Sequence, residues 1–484
     1  MTDQVLTIQE MEQTAADPGP TQILAAFAAA TAFDDLPSQV VDDAKLAILD
    51  WFGSMLAGSL EPPARMARAV VRLLGVADDA ALFPAGRSSA AGAAFGNGVA
   101  SHILEFDDVH KGSTMHAAAP ILPAAFAVAE REHADGRALL RAAVLGYEAG
   151  LRVGEAVNPS HYQFWHPTGT GATFGAAVAA GSLLSLDATR MRDALGSAGT
   201  QAAGLWEFNA DGAMSKHLHP GKAAFNGILA ADLARQGFTA ATRILEGERG
   251  FFRATSSGAD ASRITVGLGS QWKVSENCYK LHSCCGHTHT AIDTAQDLRA
   301  QQGWQGDDAV KDITGIEIAL YGPGYDVVRR LIPRTPYQAK FSVAYCVAAA
   351  LVEGEVGLAQ FDADRFDPQG VRHPAIAALL ARTTVHADPA LSARYPEQWP
   401  ARVTLHLSDG TTVTGAADYP RGNPENPVSF ATLEAKFRAL VEPRFDAALA
   451  DMVIRAVRDL DHCPDVAAMM RAVQSAIPDH ARRA

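Results

Sequence analysis

The 484-residue chain has few cysteines, no excess of basic residues and no long run of leucine, isoleucine and phenylalanine. Its five cysteines are too few and too irregularly spaced for a disulfide framework, which indicates reduced thiols. A net charge of −13 is wrong for a nucleic-acid binder, which needs a basic stripe to neutralise phosphates. The opening stretch MTDQVLTIQEMEQTAADPGP lacks a basic segment followed by an apolar run, so we expect no secretory signal and a cytoplasmic location.

Several sequence motifs that are typical of cofactor binding or of a catalytic nucleophile are also absent. There is no G-x-G-x-x-G after a strand, no P-loop, no G-x-S-x-G and no H-E-x-x-H. The chemistry must therefore come from side chains, which is our expectation, or from a cofactor without a recognised motif. The most apolar window, Gly169–Leu186, is built from alanine, glycine, threonine and serine, which predicts a buried core helix and no membrane span.

The hydrophobic pattern predicts a mainly α protein. From about Thr21 to Arg253 apolar residues recur every three or four positions, typical of stacked helices, and many are alanine or glycine. From about residue 270 the pattern becomes mixed, with an alternating run in DITGIEIALY and a hairpin signal at Asp409-Gly410. We predict a large, discontinuous all-helical domain (1–269 and 426–484) with a smaller inserted α+β lid domain (270–425).

Two loop segments place ionisable side chains beside apolar helices. LEFDDVHKGSTMHAAAP carries Asp107, Asp108, His110 and His116. The aspartate pair could bind a metal, exchange a proton or simply contact solvent, whereas His116 precedes a helix N-terminus that favours an anion. In FWHPTGTG, His166 stands before a proline and small residues. Its role is either to begin a helix well or to present an imidazole at the positive end of the helix dipole.

The segment DGAMSKHLHPGKAAFNG is a local cluster of positive charge in an acidic protein. Lys216, His217, His219 and Lys222 fall within seven residues, followed by a helix of small residues. Such a cluster at a helix N-terminus suits an anionic ligand. The alternative is a solvated basic turn.

The segment YKLHSCCGHTHTAID is the densest in cysteine and histidine. It contains Lys280, His282, Cys284, Cys285, His287 and His289. The composition suggests zinc, but the spacing does not match the paired C-x₂₋₄-C or H-x₃₋₅-H units of structural zinc sites. A cysteine–histidine nucleophilic pair is an alternative without a supporting hydrolase signature.

These four segments, in this order, resemble the MmgE/PrpD family. So do FGNGVASHILEFDD, ALGSAGTQAAGLWEFNADGAMSKHLHPGKAAFNG and PYQAKFSVAYCVAAALVEGEV, and the resemblance runs from about Ala25 to Leu460. It implies a homodimer and a site in the cleft between a helical domain and a lid. Members include 2-methylcitrate dehydratase, cis-aconitate decarboxylase and iminodisuccinate epimerase, which act beside a carboxylate without metal or nucleotide.

The resemblance also implies roles for individual residues. The catalytic set that it implies is His116, His166, Lys216, Lys280 and the aspartate of FDD, which is Asp107 or Asp108. It also implies that His219 and Tyr325 bind substrate. Lys222 stands where the family varies, and we expect it to bind substrate together with His110 and His282 of the ionisable segments. Lysines would stabilise the charge that develops on a carboxylate, while a histidine exchanges the proton.

The residues fit a dehydratase, a decarboxylase and an epimerase alike. We expect dehydration of a 2-methylcitrate-like hydroxy acid, with a small polycarboxylate as the only partner besides a second copy of the chain. The alternatives are decarboxylation of cis-aconitate and epimerisation of an amino or imino dicarboxylate. Two further alternatives are a zinc hydrolase that uses Cys284, Cys285, His287 and His289, and a non-catalytic carboxylate-binding protein.

Overall fold

The computed structural model describes residues 18–75, 77–306 and 311–483, without the side chain of Asp211. The stretch 1–17, on which the expectation of no signal peptide depends, lies outside the described residues. The chain divides into two compact units. The helical unit comprises Met1–Ser101, Gly112–Ser275 and Arg444–Ala484, and the mixed unit comprises His102–Lys111 and Glu276–Pro443.

The described regular elements are numbered in chain order. The helices are α1 Pro20–Ala30, α2 Ser38–Gly58, α3 Pro62–Leu73, α4 Ala90–Ser101, α5 Ala118–Arg131, α6 Gly136–Val157, α7 Gly171–Leu183, α8 Ala188–Gly199, α9 Phe208–Asp211, α10 Ser215–Arg235, α11 Phe251–Thr255, α12 Ser262–Thr265, α13 His289–Gln302, α14 Gly322–Val328, α15 Pro336–Lys340, α16 Val343–Glu353, α17 Pro374–Leu380, α18 Pro389–Ser392, α19 Phe430–Val441, α20 Ala447–Arg458, α21 Val466–Ser475 and α22 Asp479–Arg482. The strands are β1 Ala80–Ala81, β2 Arg87–Ser88, β3 Ile313–Leu320, β4 Phe366–Asp367, β5 Gly370–Val371, β6 Thr383–Ala387, β7 Ala401–Leu407 and β8 Thr412–Ala417.

The helical unit is held together by close packing of small residues around a few large ones. Every residue of α7 is buried, as expected for the apolar Gly169–Leu186 window. A Cβ on Gly175 would lie 2.6 Å from the carbonyl oxygen of Gly146, so glycine allows α6 and α7 to approach. Trp51 stacks on Phe126 at 4.9 Å elsewhere in the core. This packing fixes the loops at the ends of the helices, which carry the ionisable residues.

The mixed unit contains a four-stranded sheet in the order β6-β3-β7-β8. Strand β3 is parallel to β6 and antiparallel to β7, and β7 and β8 form a hairpin in which Thr404 faces Thr414. Gly410 has φ +84° at the hairpin turn, as the Asp409-Gly410 signal predicts. Apolar residues of β3 and β7 join the buried faces of α13 and α16 in one core.

The mainly α fold class with a smaller α+β part is confirmed. Within the described residues no helix combines the length and the apolar character that a membrane span requires. The predicted boundaries at residues 269 and 425 stay a prediction. The final helical block is divided, because α19 lies in the mixed unit and α20 to α22 lie in the helical unit.

Candidate active site

Five of the predicted site residues lie in the helical unit, on the loops before α5 and α7 and on α10. His116 precedes α5 by two residues, and its backbone N–H donates to the Thr168 hydroxyl at 3.1 Å. The His116 and His166 rings lie with their centroids 6.4 Å apart. Residues predicted from separate sequence segments, His116 and His166, therefore do meet in the folded chain.

His166 and His219 form a buried imidazole pair. Their Nδ1 atoms are 3.0 Å apart, so one nitrogen donates the proton and the other accepts it. Trp206 lies 4.7 Å from the His166 ring, and Phe208 lies 5.4 Å from the His219 ring. A proton shared inside an aromatic enclosure is suited to exchange with a bound substrate.

The cluster of positive charge lies within α10, not ahead of it. The helix begins at Ser215, so Lys216, His219 and Lys222 occupy its first two turns and the expected position of the cluster is corrected. Lys216 and His219 are buried, whereas a solvated basic turn would be exposed. The Lys222 ammonium donates to the carbonyl oxygen of Gln201 at 3.1 Å, and burial lowers the pKa of this lysine. Lys222 thus anchors the chain after α8.

The helix after His166 begins later than the sequence suggests. A proline directly after His166 is typical of the first position of a helix, but α7 starts at Gly171 and the residues between them form turns. His166 is held by its backbone N–H, which donates to Gly204 at 2.9 Å. Its position therefore depends on a long-range contact as well as on the start of the helix.

His161 is a structural histidine five residues before His166. Its Nδ1–H donates to the Thr255 carbonyl at 3.1 Å, and its Nε2 accepts from the Thr170 hydroxyl at 2.8 Å. Burial lowers its pKa to about 4. The neutral imidazole is fully used in holding α11 and the start of α7.

We expect His161 to make the protein sensitive to acid. Its pKa is about 4 in the folded protein and about 6.5 in an unfolded chain, so unfolding takes up a proton as the pH falls. The stability that depends on neutral His161 should be lost between about pH 6.5 and pH 4. Urea denaturation of His161→Asn should show a weaker decline over this range than the wild type. Parallel curves for the two proteins would contradict this role.

The mixed unit holds the second lysine beside a glutamate that the sequence reasoning missed. Lys280 and Glu105 are both buried. The Lys280 ammonium donates to the Glu105 carbonyl oxygen at 3.2 Å and lies 3.8 Å from its carboxylate. Glu105 has φ +58°, an uncommon conformation for a residue with a side chain. Its place next to the aspartate pair in LEFDD was the available signal.

The aspartate pair is buried, and each carboxylate accepts a hydrogen bond. Asp107 accepts from His102 Nδ1 at 2.6 Å, and Asp108 accepts from Asn277 at 2.9 Å. Both aspartates have an exposed fraction of 0%. Solvent contact, one of the predicted alternatives for the pair, is therefore wrong. His110 lies nearby in the chain, 3.3 Å from the Glu276 carboxylate.

The histidine-rich stretch after Lys280 forms separate pairs. His282 Nε2 donates to Asp293 at 2.9 Å, and its ring lies 5.1 Å from that of His289. Burial, His282 and Lys280 lower the pKa of His289 well below its ordinary value. His289 Nε2 donates to the Cys284 carbonyl oxygen at 3.3 Å. The sequence indicated His289 only as a possible zinc ligand. In the structure its neutral ring lies beside His282, one of the predicted substrate-binding residues.

The geometry does not favour zinc at the cysteine–histidine stretch. Cys284 Sγ contacts the Thr288 hydroxyl at 3.0 Å, and His287 Nδ1 contacts the Tyr321 hydroxyl at 2.5 Å. Burial raises the pKa of the Cys285 thiol to about 11, which opposes the thiolate that zinc requires. Among the described residues, the four predicted ligands bring no three donor atoms within 4.8 Å of one another.

The mixed unit also contains the predicted Tyr325 and a second tyrosine, Tyr337, that the sequence did not predict. Tyr325 lies on α14, where it packs against the core under the guanidinium of Arg329. Tyr337 lies on α15 with 40% of its surface exposed, and partial burial together with Glu105 and Cys285 raises its pKa to about 12.

Comparison with known proteins shows which family the chain belongs to. Residues 22–264 match the MmgE/PrpD N-terminal domain, and residues 282–462 match the MmgE/PrpD C-terminal domain. Similar relatives include the cis-aconitate decarboxylase-like protein oryM of Aspergillus oryzae, 28% identical over 91% of this chain and 94% of the relative. Cis-aconitate decarboxylase of Aspergillus terreus is 28% identical over 93% and 95%, and the Homo sapiens enzyme is 28% identical over 80% of each chain. The two domain matches cover most of the sequence, and the chain belongs to the MmgE/PrpD family.

Proposed function

We propose that this protein is a lyase that removes carbon dioxide from cis-aconitate or a closely similar tricarboxylate, without a cofactor. The observation that carries the proposal is the alignment with cis-aconitate decarboxylases over more than nine tenths of the chain. Buried Lys216 and Lys280, with imidazoles near Lys216 in α10, supply the chemistry that such a reaction needs.

The reaction moves an electron pair through a conjugated carboxylate. Loss of carbon dioxide from the CH₂–COO⁻ arm pushes electrons through the double bond toward the far carboxylate, and a proton then adds to the carbon next to it. Lys280, buried beside Glu105, is assigned to stabilise this developing charge. Lys216 is assigned to a second carboxylate.

The proton is assigned to the imidazole pair. His166 and His219 share a proton across 3.0 Å, and His116 lies against His166. Histidine transfers protons well near neutral pH because its ordinary pKa is close to the working pH. Among the three, His166 is the proposed donor because its ring contacts both of the others.

Dehydration of a 2-methylcitrate-like hydroxy acid is the second candidate. It requires an additional acid to protonate the departing hydroxyl. The buried His102–Asp107 pair, with 2.6 Å between its polar atoms, could be that acid. The homodimer that the family resemblance implies remains a prediction, and so does the cytoplasmic location expected from the opening stretch.

NMR of the products distinguishes decarboxylation of cis-aconitate from dehydration of 2-methylcitrate. We expect purified protein to convert cis-aconitate to itaconate and carbon dioxide, and to leave 2-methylcitrate and iminodisuccinate unchanged. Dialysis against EDTA should leave the rate unaltered. Conversion of 2-methylcitrate alone would favour the dehydratase, and no conversion of any of the three would reject the proposed chemistry. Loss of activity in EDTA with recovery in zinc would restore the zinc alternative.

A further inference from the structure

A pocket in the mixed unit brings a buried amide beside the buried lysine. Its walls include Lys111, Lys280, His289, Trp399, Arg421 and Asn423. Lys280 and Asn423 are each 4% exposed. Asn423 lies in the Pro-rich stretch YPRGNPENP, which follows β8 and precedes α19.

The backbone holds Asn423 firmly next to the Lys280 segment. The Tyr279 N–H donates to the Gly422 carbonyl at 2.9 Å, and the Arg421 N–H donates to the Asp293 carboxylate at 2.7 Å. Gly422 has φ +95°, and a Cβ there would lie 2.1 Å from the Tyr279 carbonyl oxygen. Only glycine allows this approach, so the position of Asn423 is built into the fold.

Asn423 and Lys280 both have donors to spare. Among the described residues, the Asn423 Nδ2 group is buried without a hydrogen-bond partner. Within the part of the chain that the structure describes, the Lys280 ammonium uses one of its three N–H groups in a hydrogen bond, to the Glu105 carbonyl oxygen, and lies 3.8 Å from the Glu105 carboxylate. A buried donor without an acceptor costs about 1–3 kcal/mol, so the arrangement favours a ligand that accepts from both.

The other two cations of the pocket are held more closely by carboxylates than Lys280 is, whose ammonium lies 3.8 Å from the Glu105 carboxylate. Lys111 lies 2.6 Å from Glu425, and Arg421 pairs with Asp297 and donates to Gln296. They contribute little further attraction for an anion. Recognition therefore depends on Lys280 and Asn423, a charged donor and a neutral donor that both line the pocket.

We propose that Asn423 and Lys280 form a carboxylate-binding subsite, and that Asn423 selects ligands that carry a third carboxylate. The inference rests on the proposed function in that it takes the ligand to be a polycarboxylate. The third, central carboxylate accepts one hydrogen bond from the amide and one from the ammonium, whose remaining N–H group is left for the far carboxylate on which charge develops. Charge-assisted bonds of this kind are the stronger class of hydrogen bond in proteins.

Calorimetric binding of two unreactive probes tests the subsite. Tricarballylate carries three carboxylates, and glutarate is the same molecule without the central one. The wild type should bind tricarballylate more tightly than glutarate. Asn423→Asp should weaken tricarballylate binding about tenfold or more, because a repelling carboxylate replaces a donor, and should change glutarate binding much less.

The matched control is Asn426→Asp, the same substitution at an exposed position of the same loop. It should leave both affinities unchanged. Asn423→Ser provides a smaller change if the aspartate variant does not fold, and its thermal unfolding should match that of the wild type. Unaltered tricarballylate binding in the folded Asn423 variants, or an equal loss in Asn426→Asp, would overturn the subsite.

Binding and turnover separate this inference from the proposed function. Asn423-dependent binding of tricarballylate by a protein that converts no polycarboxylate would support the subsite while rejecting the lyase activity. Conversion of cis-aconitate with unaltered kinetics in Asn423→Asp would support the lyase and reject the subsite.

Discussion

Replacing Lys280 by methionine is expected to lower kcat for cis-aconitate about 10²–10³-fold, the usual cost of removing one group that stabilises transition-state charge. Lys280 is buried, and its ammonium lies 3.8 Å from the Glu105 carboxylate. Methionine keeps the length of the side chain and removes the charge. If Lys280 acts on the developing carboxylate charge, kcat should fall more than KM rises. Steady-state kinetics at saturating substrate measure both constants.

Loss of a buried lysine also affects folding, so a second variant is needed. Lys436 is 8% exposed, and its ammonium donates to the Phe106 carbonyl oxygen at 2.7 Å. We expect Lys436→Met and Lys280→Met both to lower the melting temperature. Only Lys280→Met should cause the large loss of kcat. Equal losses of kcat in the two variants would mean that Lys280 has only a structural role.

Replacing His166 by asparagine is expected to lower kcat about 10²–10⁴-fold, the range for loss of a positioned acid or base. The asparagine amide reaches close to the Nδ1 position and can still hydrogen-bond His219, but it cannot transfer a proton. The change should therefore leave the melting temperature nearly unaltered. It should also remove the limb of the pH–rate profile that reports the imidazole pair.

His462→Asn is the matched control for His166. The His462 side chain is 82% exposed and lies beside Asp461. Its substitution should change neither kcat nor the pH profile. A His166→Asn variant that keeps kcat within about twofold of the wild type would remove His166 from the proposed chemistry.

The sequence predicted the regular elements better than the contacts of the site. The DITGIEIALY and Asp409-Gly410 patterns became β3 and the β7–β8 hairpin because alternation and turn chemistry are local properties. The apolar window became α7 for the same reason. His116 and His166 were identified by position next to helices, and the folded chain brings them together.

Long-range pairs could not be read from spacing. Glu105 lies 175 residues from Lys280 in the sequence, so nothing in LEFDD announced the partner. His161 and His166 are five residues apart, and the sequence does not distinguish them. In the structure the His161 ring hydrogen-bonds Thr170 and Thr255, whereas the His166 ring hydrogen-bonds His219. Lys222 donates to Gln201 and His282 donates to Asp293, and no sequence motif predicted either partner.

The central claim is that lysine and histidine side chains carry out carboxylate chemistry in this protein. The most direct measurement is the rate of ¹³CO₂ release from cis-aconitate labelled in its carboxylates, by the wild type, Lys280→Met and His166→Asn. We predict release by the wild type and at least about a hundredfold slower release by both folded variants. No release by the wild type, or equal rates in all three proteins, would contradict the claim.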